Sequence, residues 1–345
     1  MNRRPILALT LGDLAAALKD WNEPSYRAPQ VFNWLYLRGA RSFSEMTNLS
    51  KRLRERLEAE FEITEPGVER WESRDGTIKF RFLLADGRSV EGVWIPEEKR
   101  KTFCISSQVG CPLDCAFCVT GAMGFKRNLK AEEIVAQIRH VRVLEKRPVT
   151  NIVFMGMGEP LLNEENVARA IFVMCDTAGM AIGKRKITLS TAGIVPKIRP
   201  FLENTGVKLA VSLTGGSDEA RDHWMPINRK YDLQALFREL RAVKLPKGRR
   251  ITFEVVLMKG KNDTLEETRK LADLLRGIPS KVNLIPYNEN PVFPDLKRPD
   301  GERVDEIREY LLTRKIHATV RKSRGEDILA ACGQLAGKTI DQISA

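Results

Sequence analysis

From about residue 101 onward, short strand-like runs alternate with longer helical patterns, and this alternation constrains the fold more than any other feature of the chain. The strand-like runs fall at 102–106, 151–155, 186–190, 207–213, 251–257, 281–285 and 317–320, with helical spacing at 131–145, 163–176, 194–203, 231–243, 263–276 and 301–314. Strands separated by helix-length patterns predict a parallel sheet with helical crossovers, here about six β/α repeats. Closed wholly or partly into a barrel, such a unit carries its chemistry at the C-terminal strand ends. The expected fold class is α/β, a partial (β/α)6 TIM-like barrel.

The first hundred residues read differently. Apolar residues at i, i+3 and i+4 predict helices over 13–21, 28–37 and 49–61. Alternation in Ile78–Phe82, the turn Asp86-Gly87 and a second run from Val90 to Ile95 predict a β-hairpin. The expected domains are a helical accessory unit at 1–64, a β-hairpin extension or linker at 65–97, and a barrel core at 98–345. No stretch approaches the roughly 18–20 continuous apolar residues of a membrane span. Met1-Asn2-Arg3-Arg4 followed by Pro5–Leu11 resembles a secretory signal only faintly, since the apolar run ends at Asp13 within an amphipathic pattern. Six cysteines in 345 residues are too few and too clustered for a disulfide scaffold. These features together predict a cytoplasmic protein.

Lys and Arg outnumber Asp and Glu by 57 to 45, a net charge of +12. The basic residues recur in clusters: Lys51-Arg52-Leu53-Arg54, Lys126-Arg127, Lys184-Arg185-Lys186, Arg229-Lys230, Lys247 with Arg249-Arg250, and Arg321-Lys322 with Arg324. Taken singly, each cluster is a solvated surface or a helix end; several on one face would bind nucleic acid through phosphate contacts.

The strongest chemical signal is Gly110-Cys111-Pro112-Leu113-Asp114-Cys115-Ala116-Phe117-Cys118, a C-x3-C-x2-C run between the first core strand and the first core helix. A closed zinc site needs four N or S ligands, and no second cysteine pair exists here. Iron–sulfur clusters are held by Cys thiolates, and three thiolates on a cubane leave one iron open to a substrate or cofactor. Further along, Gly156-Met157-Gly158-Glu159-Pro160, Ser190-Thr191-Ala192-Gly193, Ser212-Leu213-Thr214 and Asn283–Asn288 place polar groups at successive strand ends. Such residues are helix caps or parts of one shared ligand site. The glycines would admit a ligand to the backbone, and the Glu159 carboxylate could accept from an ammonium group. In isolation, Cys104 in Phe103-Cys104-Ile105 reads as a core thiol, Cys332 as a buried helix-end thiol, and Glu91 as a solvent-facing strand residue. Cys175 lies on an apolar helical face and reads as core packing.

The cysteine run after the first barrel strand resembles the radical S-adenosylmethionine (SAM) superfamily. In that superfamily the open iron binds the amino and carboxylate groups of SAM, and one electron cleaves SAM to methionine and a 5′-deoxyadenosyl radical. Nearly the whole chain is similar to the RlmN/Cfr family of radical SAM adenosine methyltransferases. The resemblance is carried by Tyr26–Tyr36, Glu45–Lys51, Val90–Pro96, Ser106–Cys111, Val320–Gly325 and Ala330-Ala331-Cys332-Gly333-Gln334-Leu335-Ala336-Gly337. It implies a [4Fe-4S] cluster held by Cys111, Cys115 and Cys118, and SAM contacts at Gly158, Glu159, Ser190, Ser212, Leu213, Thr214 and Asn288. Two departures stand out: Thr214-Gly215 replaces the family's usual His-Ala, which shortens the polar reach, and Asn288-Glu289 replaces Asn-Pro.

The resemblance also implies a mechanism. C2 and C8 of a purine are electron-poor and do not attack a methyl donor as nucleophiles, hence a radical route. Cys332 takes a methyl from one SAM, and a second SAM supplies the radical that activates the S-methyl group for addition to adenine. Cys104 then resolves the protein–RNA crosslink by forming a disulfide with Cys332, and Glu91 accepts a proton. The complete N-terminal pattern favours C2 over C8 methylation, on 23S rRNA in the peptidyl transferase region and on tRNA beside the anticodon. Other implied partners are an electron donor such as flavodoxin with its reductase, and the protein is expected to be a monomer. A stacked adenine carbon is unreachable, so the RNA must present an unpaired or extruded base.

Overall fold

The computed structural model describes residues 3–336. Met1, Asn2 and the chain from Gly337 on, which ends the Cys332 motif and the expected core, lie outside the described residues. One ten-stranded sheet organises the chain. Its strands are β1 (Gly67–Glu72), β2 (Ile78–Leu83), β3 (Ser89–Pro96), β4 (Lys101–Cys104), β5 (Asn151–Phe154), β6 (Ile187–Thr191), β7 (Lys208–Ser212), β8 (Ile251–Leu257), β9 (Ser280–Pro286) and β10 (His317–Val320). They lie side by side in chain order. β4 to β10 are mutually parallel and β1 to β3 antiparallel, with β3 paired antiparallel to β4. β1 and β10 are the sheet's two ends and do not pair, so the barrel is open.

The strands alternate in a way the parallel pattern alone does not require. Phe103, Ile152, Phe154, Ile187, Leu189, Leu209, Val211, Ile251, Phe253, Val282 and Leu284 are buried in the hydrophobic core. Between them, Cys104, Val153, Met155, Thr188, Glu254, Asn283 and Arg321 turn to the opposite face and line an interior cavity of about 830 Å³. Parallel strands covered on both faces usually read as continuous apolar runs. Here the inner face is polar because the barrel encloses a cavity instead of a packed centre.

Crossover helices Ala131–Arg139, Glu164–Cys175, Val195–Thr205, Leu233–Ala242, Leu265–Leu274 and Gly301–Thr313 fall where helical spacing predicts them, with ends shifted by a few residues. An additional helix, Asp218–Trp224, is capped by Ser217, whose hydroxyl accepts from Ala220 N–H. The predicted hairpin is part of a three-stranded meander continuous with the barrel sheet, because β1 adds to it at the edge.

At the N-terminus, helices Leu11–Lys19, Arg27–Asn33 and Lys51–Glu60 pack as a small helical unit. Thr10 and Asp13 form a capping box at the first, and Ser50 caps the third. The second helix runs into a π turn, Trp34–Arg38, stopped by Gly39 at φ +76°. Arg139, fully buried on the first crossover helix, ties this unit to the core by donating to Leu35 O at 2.9 Å and Ala40 O at 2.6 Å and pairing with Glu65. No described helix is long and apolar enough to cross a membrane.

Candidate active site

After β4 the chain enters the cysteine loop, whose shape is set by close approaches. Gly110 sits at φ +74°, and a Cβ there would lie 1.9 Å from Gly124 O. Gln108-Val109 pair antiparallel with Arg127-Asn128 and clamp the base of the loop. Ala116 N–H donates to Trp224 O at 3.1 Å and Cys118 N–H to Cys115 O at 3.0 Å. Cys111, Cys115 and Cys118 are all free thiols. Burial pushes the Cys111 thiol up to about 12 and also raises Cys115 and Cys118; Cys118 further raises Cys111 and Cys115, and Cys332 raises Cys118. N–H groups of Leu113, Thr120 and Gly121 point at the sulfurs and favour thiolate. Three such thiolates are stable together only around a metal centre.

The donor chemistry identifies which kind of centre fits. Among the described residues no three His, Cys, Asp or Glu side chains close around a single-ion position. A zinc tetrahedron, with Zn–S near ~2.3 Å, needs them to do so. A cubane instead takes one thiolate on each of three separate irons. Three cysteine thiols carried on one loop fit a [4Fe-4S] centre whose fourth iron is left open.

The strand-end residues converge beyond this loop and are tightly packed. Glu159 is 3% exposed, and its two carboxylate oxygens accept Leu161 N–H at 3.0 Å and Ala192 N–H at 2.8 Å. Burial nevertheless pushes its carboxyl up to about 7. The carboxylate therefore fastens the end of β5 to the end of β6. The glycines before it serve chain packing: a Cβ on Gly156 would lie 2.7 Å from Ile105 O, and one on Gly158 2.4 Å from Gln108 Cβ. Ser190 and Ser212 are half-buried on the inner-facing register of β6 and β7. Leu213 is fully buried. Thr214 adopts φ +42°, strained for a β-branched residue, and its Oγ1 accepts Val256 N–H at 3.4 Å. Its hydroxyl is thereby committed to β8.

One side chain at this site went unnoticed in the sequence. Arg221, fully buried on the unanticipated helix, donates to Ser212 O and Leu213 O at 2.8 Å each and to Ala192 O, and lies beside Cys115. It pins two strand ends together and puts a cation next to the cysteine loop. The only sequence signal for it was a basic residue following the Gly215-Gly216 turn.

The chain after β10 crosses the open barrel and is anchored on three sides. Ser73 Oγ donates to Asp327 at 2.6 Å, and Asp75 accepts Gly325 N–H at 3.2 Å. Asn288 Nδ2 donates to Cys332 O at 3.0 Å, and Gln334 Nε2 to Glu289 O at 2.7 Å. On the third side, Val119 N–H donates to Gly333 O at 2.8 Å and Thr120 Oγ1 to Leu335 O at 2.6 Å. Asn288 Oδ1 in turn accepts from Ser323 Oγ and Arg298 Nη2. The tail therefore holds Cys332 over the cavity, beside the cysteine loop. Cys104, Asn288, Arg321 and Cys332 line the same space. Burial pushes the Cys104 thiol up to about 12, and the neighbouring Cys332 raises it further. Both are free thiols.

Glu91 corrects the solvent-facing reading of its isolated position: it is fully buried. It occupies the inner-facing register of β3, two residues before Val93 on the cavity wall. Its Oε1 lies 3.3 Å from Lys79 Nζ, and its Oε2 accepts Ala336 N–H at 3.0 Å. Parts of the basic clusters are also internal: Arg127 is held by Asp86 and Glu133, Arg249 donates to Gly206 O, and Arg321 lines the cavity. Lys51, Arg52, Lys184, Arg185, Lys186, Arg229, Lys230, Lys247 and Arg250 remain exposed.

Comparisons with known proteins agree with this architecture. Residues 105–274 match the radical SAM superfamily, and residues 5–63 match the ribosomal RNA large subunit methyltransferase N-terminal domain. The chain is 50% identical to dual-specificity RNA methyltransferase RlmN 2 of Myxococcus xanthus, over 93% of this chain and 87% of that one. It is 49% identical to dual-specificity RNA methyltransferase RlmN of Geobacter sulfurreducens, over 96% and 92% respectively. A crystal structure of a radical SAM methyltransferase from Sphaerobacter thermophilus superposes with a TM-score of 0.91 at 42% identity, covering 97% of this chain and all of that one. With the three-cysteine loop, the open barrel and the helical N-terminal unit all in place, the chain belongs to the RlmN family of radical SAM RNA methyltransferases.

Proposed function

We propose that the protein methylates C2 of adenosine in 23S rRNA, in the peptidyl transferase region, and of the adenosine beside the anticodon in tRNA. The observation that carries this reading is the seating of Cys332 across the barrel, facing the same cavity as Cys104 and adjoining the cysteine loop. When bound, SAM and a reduced [4Fe-4S] centre supply a methyl group and a 5′-deoxyadenosyl radical, with two SAM consumed per turnover. Cys111, Cys115 and Cys118 hold the cluster. Gly158, Glu159, Ser190, Ser212, Leu213, Thr214 and Asn288 form the SAM site, in which Glu159 and Arg221 fix strand ends.

Cys332 would carry the methyl on its sulfur; with one hydrogen atom of that methyl given up to the 5′-deoxyadenosyl radical and one electron returned to the centre, its carbon would become the one joined to adenine C2. Glu91 takes up the C2 proton once Ala336 moves off its carboxylate. The Cys104 thiolate then attacks Cys332 Sγ. The sulfur–carbon bond breaks toward carbon, a proton completes the new methyl group, and the disulfide remains on the protein. Exposed lysines and arginines, with the N-terminal helices, grip the surrounding phosphates. The protein acts as a cytoplasmic monomer supplied with electrons by a flavodoxin-type donor.

The test is digestion and mass spectrometry of rRNA and tRNA after incubation with iron-reconstituted enzyme, SAM and reductant. The expected product co-migrates with 2-methyladenosine and is absent with Cys332→Ala. 8-Methyladenosine would assign the Cfr-type reaction, and turnover by Cys332→Ala would remove that thiol from the mechanism.

A further inference from the structure

Three inner-face residues stand in one register row across adjacent strands: Glu254 on β8, Asn283 on β9 and Thr319 on β10. All three line the cavity that Cys104, Cys332 and Arg321 also face. They form a directed chain. Thr319 Oγ1 donates to Asn283 Oδ1 at 2.8 Å, and Asn283 Nδ2 donates to Glu254 Oε1 at 2.9 Å. The chain uses one carboxylate oxygen and fixes the other, Oε2, which is buried and has no hydrogen-bond partner among the described residues. Glu254 is 5% exposed and forms no salt bridge among the described residues, although Arg321 and Lys281 stand in its neighbourhood.

A buried carboxylate oxygen without a partner is costly and calls for an explanation. A cavity of about 830 Å³ has room for a nucleoside. Carboxylates recognise nucleobases by accepting from exocyclic amines. On adenine the 6-amino group shares an edge with C2, with only N1 and C6 between them. A base presenting C2 to the tail thiol thus turns the same edge toward the cavity wall.

We infer that Glu254 is a specificity-determining residue that accepts a hydrogen bond from the 6-amino group of the target adenine. The inference rests on the proposed adenine substrate but concerns recognition, not chemistry. A keto oxygen at the same position would face the carboxylate lone pairs, so inosine and guanosine are rejected.

Glu254→Gln makes the sharpest probe. Asn283 Nδ2 still donates to the side-chain oxygen, which leaves the glutamine amide nitrogen as a donor toward the cavity. The experiment measures binding, by fluorescence anisotropy, of RNA hairpins carrying adenosine, purine riboside (no 6-amino group) or inosine at the target position. The protein is the full-length, iron-reconstituted chain with SAM present. Wild type is expected to favour adenosine over purine riboside by about tenfold or more. Glu254→Gln is expected to abolish that preference and to bind inosine better than wild type does. Glu254→Ala is expected to lose the adenosine preference without gaining inosine, and equal melting curves establish that the variants fold. An unchanged adenosine-to-purine ratio in both variants overturns the inference. Base discrimination by a wild type that forms no methyladenosine would refute the proposed reaction and leave the recognition role standing.

Discussion

Replacing Glu91 by glutamine tests the junction between barrel, meander and tail. Glu91 and Lys79 form a fully buried ion pair at 3.3 Å, with side-chain exposures of 0% and 3%. Glutamine removes the negative charge facing the Lys79 ammonium, whose other neighbours among the described residues include Leu329 O at 3.5 Å and the face of Trp71 at 5.5 Å. Breaking one side of a buried pair costs about 3–5 kcal/mol. At about 2.1 cal/mol/K per residue, a chain of 345 residues has an unfolding entropy of roughly 0.7 kcal/mol/K. The melting temperature should therefore fall by about 4–7 °C, read by circular dichroism on metal-free protein at neutral pH. The double variant Lys79→Met with Glu91→Gln should recover much of the loss, because it removes the stranded charge as well. A Glu91→Gln protein melting within about 1 °C of wild type, as harmless surface changes do, would refute the buried pair.

Other outcomes follow from the same geometry. Alkylation of Cys104 in a Cys332→Ser background should rise about tenfold per pH unit through pH 10, since burial holds the thiol near about 12; levelling off near pH 9, as for a free thiol of pKa about 8.5, would contradict that burial. Asn288→Ala removes the donor to Cys332 O and the acceptor for Ser323 and Arg298. It should raise tryptic cleavage at Arg324 by about tenfold or more, corresponding to about 1–3 kcal/mol of lost anchoring. Alanine at any one of Cys111, Cys115 or Cys118 should lower bound iron and sulfide together, whereas Cys175→Ala should leave both unchanged; metal analysis of anaerobically prepared protein decides this.

The repeating region was legible because its strands and helices announce themselves by period. Each of β4 to β10 falls within two residues of an alternating or apolar run. β1 was not legible, since Val68-Glu69-Arg70-Trp71 is half-buried to exposed and charged, as edge strands commonly are. The helix Asp218–Trp224 was hidden by its seven-residue length between Gly215-Gly216 and Pro226. Chemistry was legible where residue type alone limits the choices, as with three closely spaced cysteines. It was not where partners decide. Glu91 on a strand looks solvent-facing until Lys79 from the neighbouring strand is seen beneath it. Gly156 and Gly158 also admit neighbouring chain segments, Ile105 and Gln108, which no sequence pattern announces. Glu254 sits in an ordinary strand sequence, and only the register with Asn283 and Thr319 gives it direction.

The most direct measurement of the central claim uses Cys104→Ala, incubated with SAM, reductant and target RNA and then examined by mass spectrometry of digested protein. If the tail thiol carries the methyl carbon and Cys104 releases it, an RNA adduct should accumulate on Cys332 with little free methylated RNA. Release of methylated RNA at the wild-type rate without any Cys332 adduct would contradict the account.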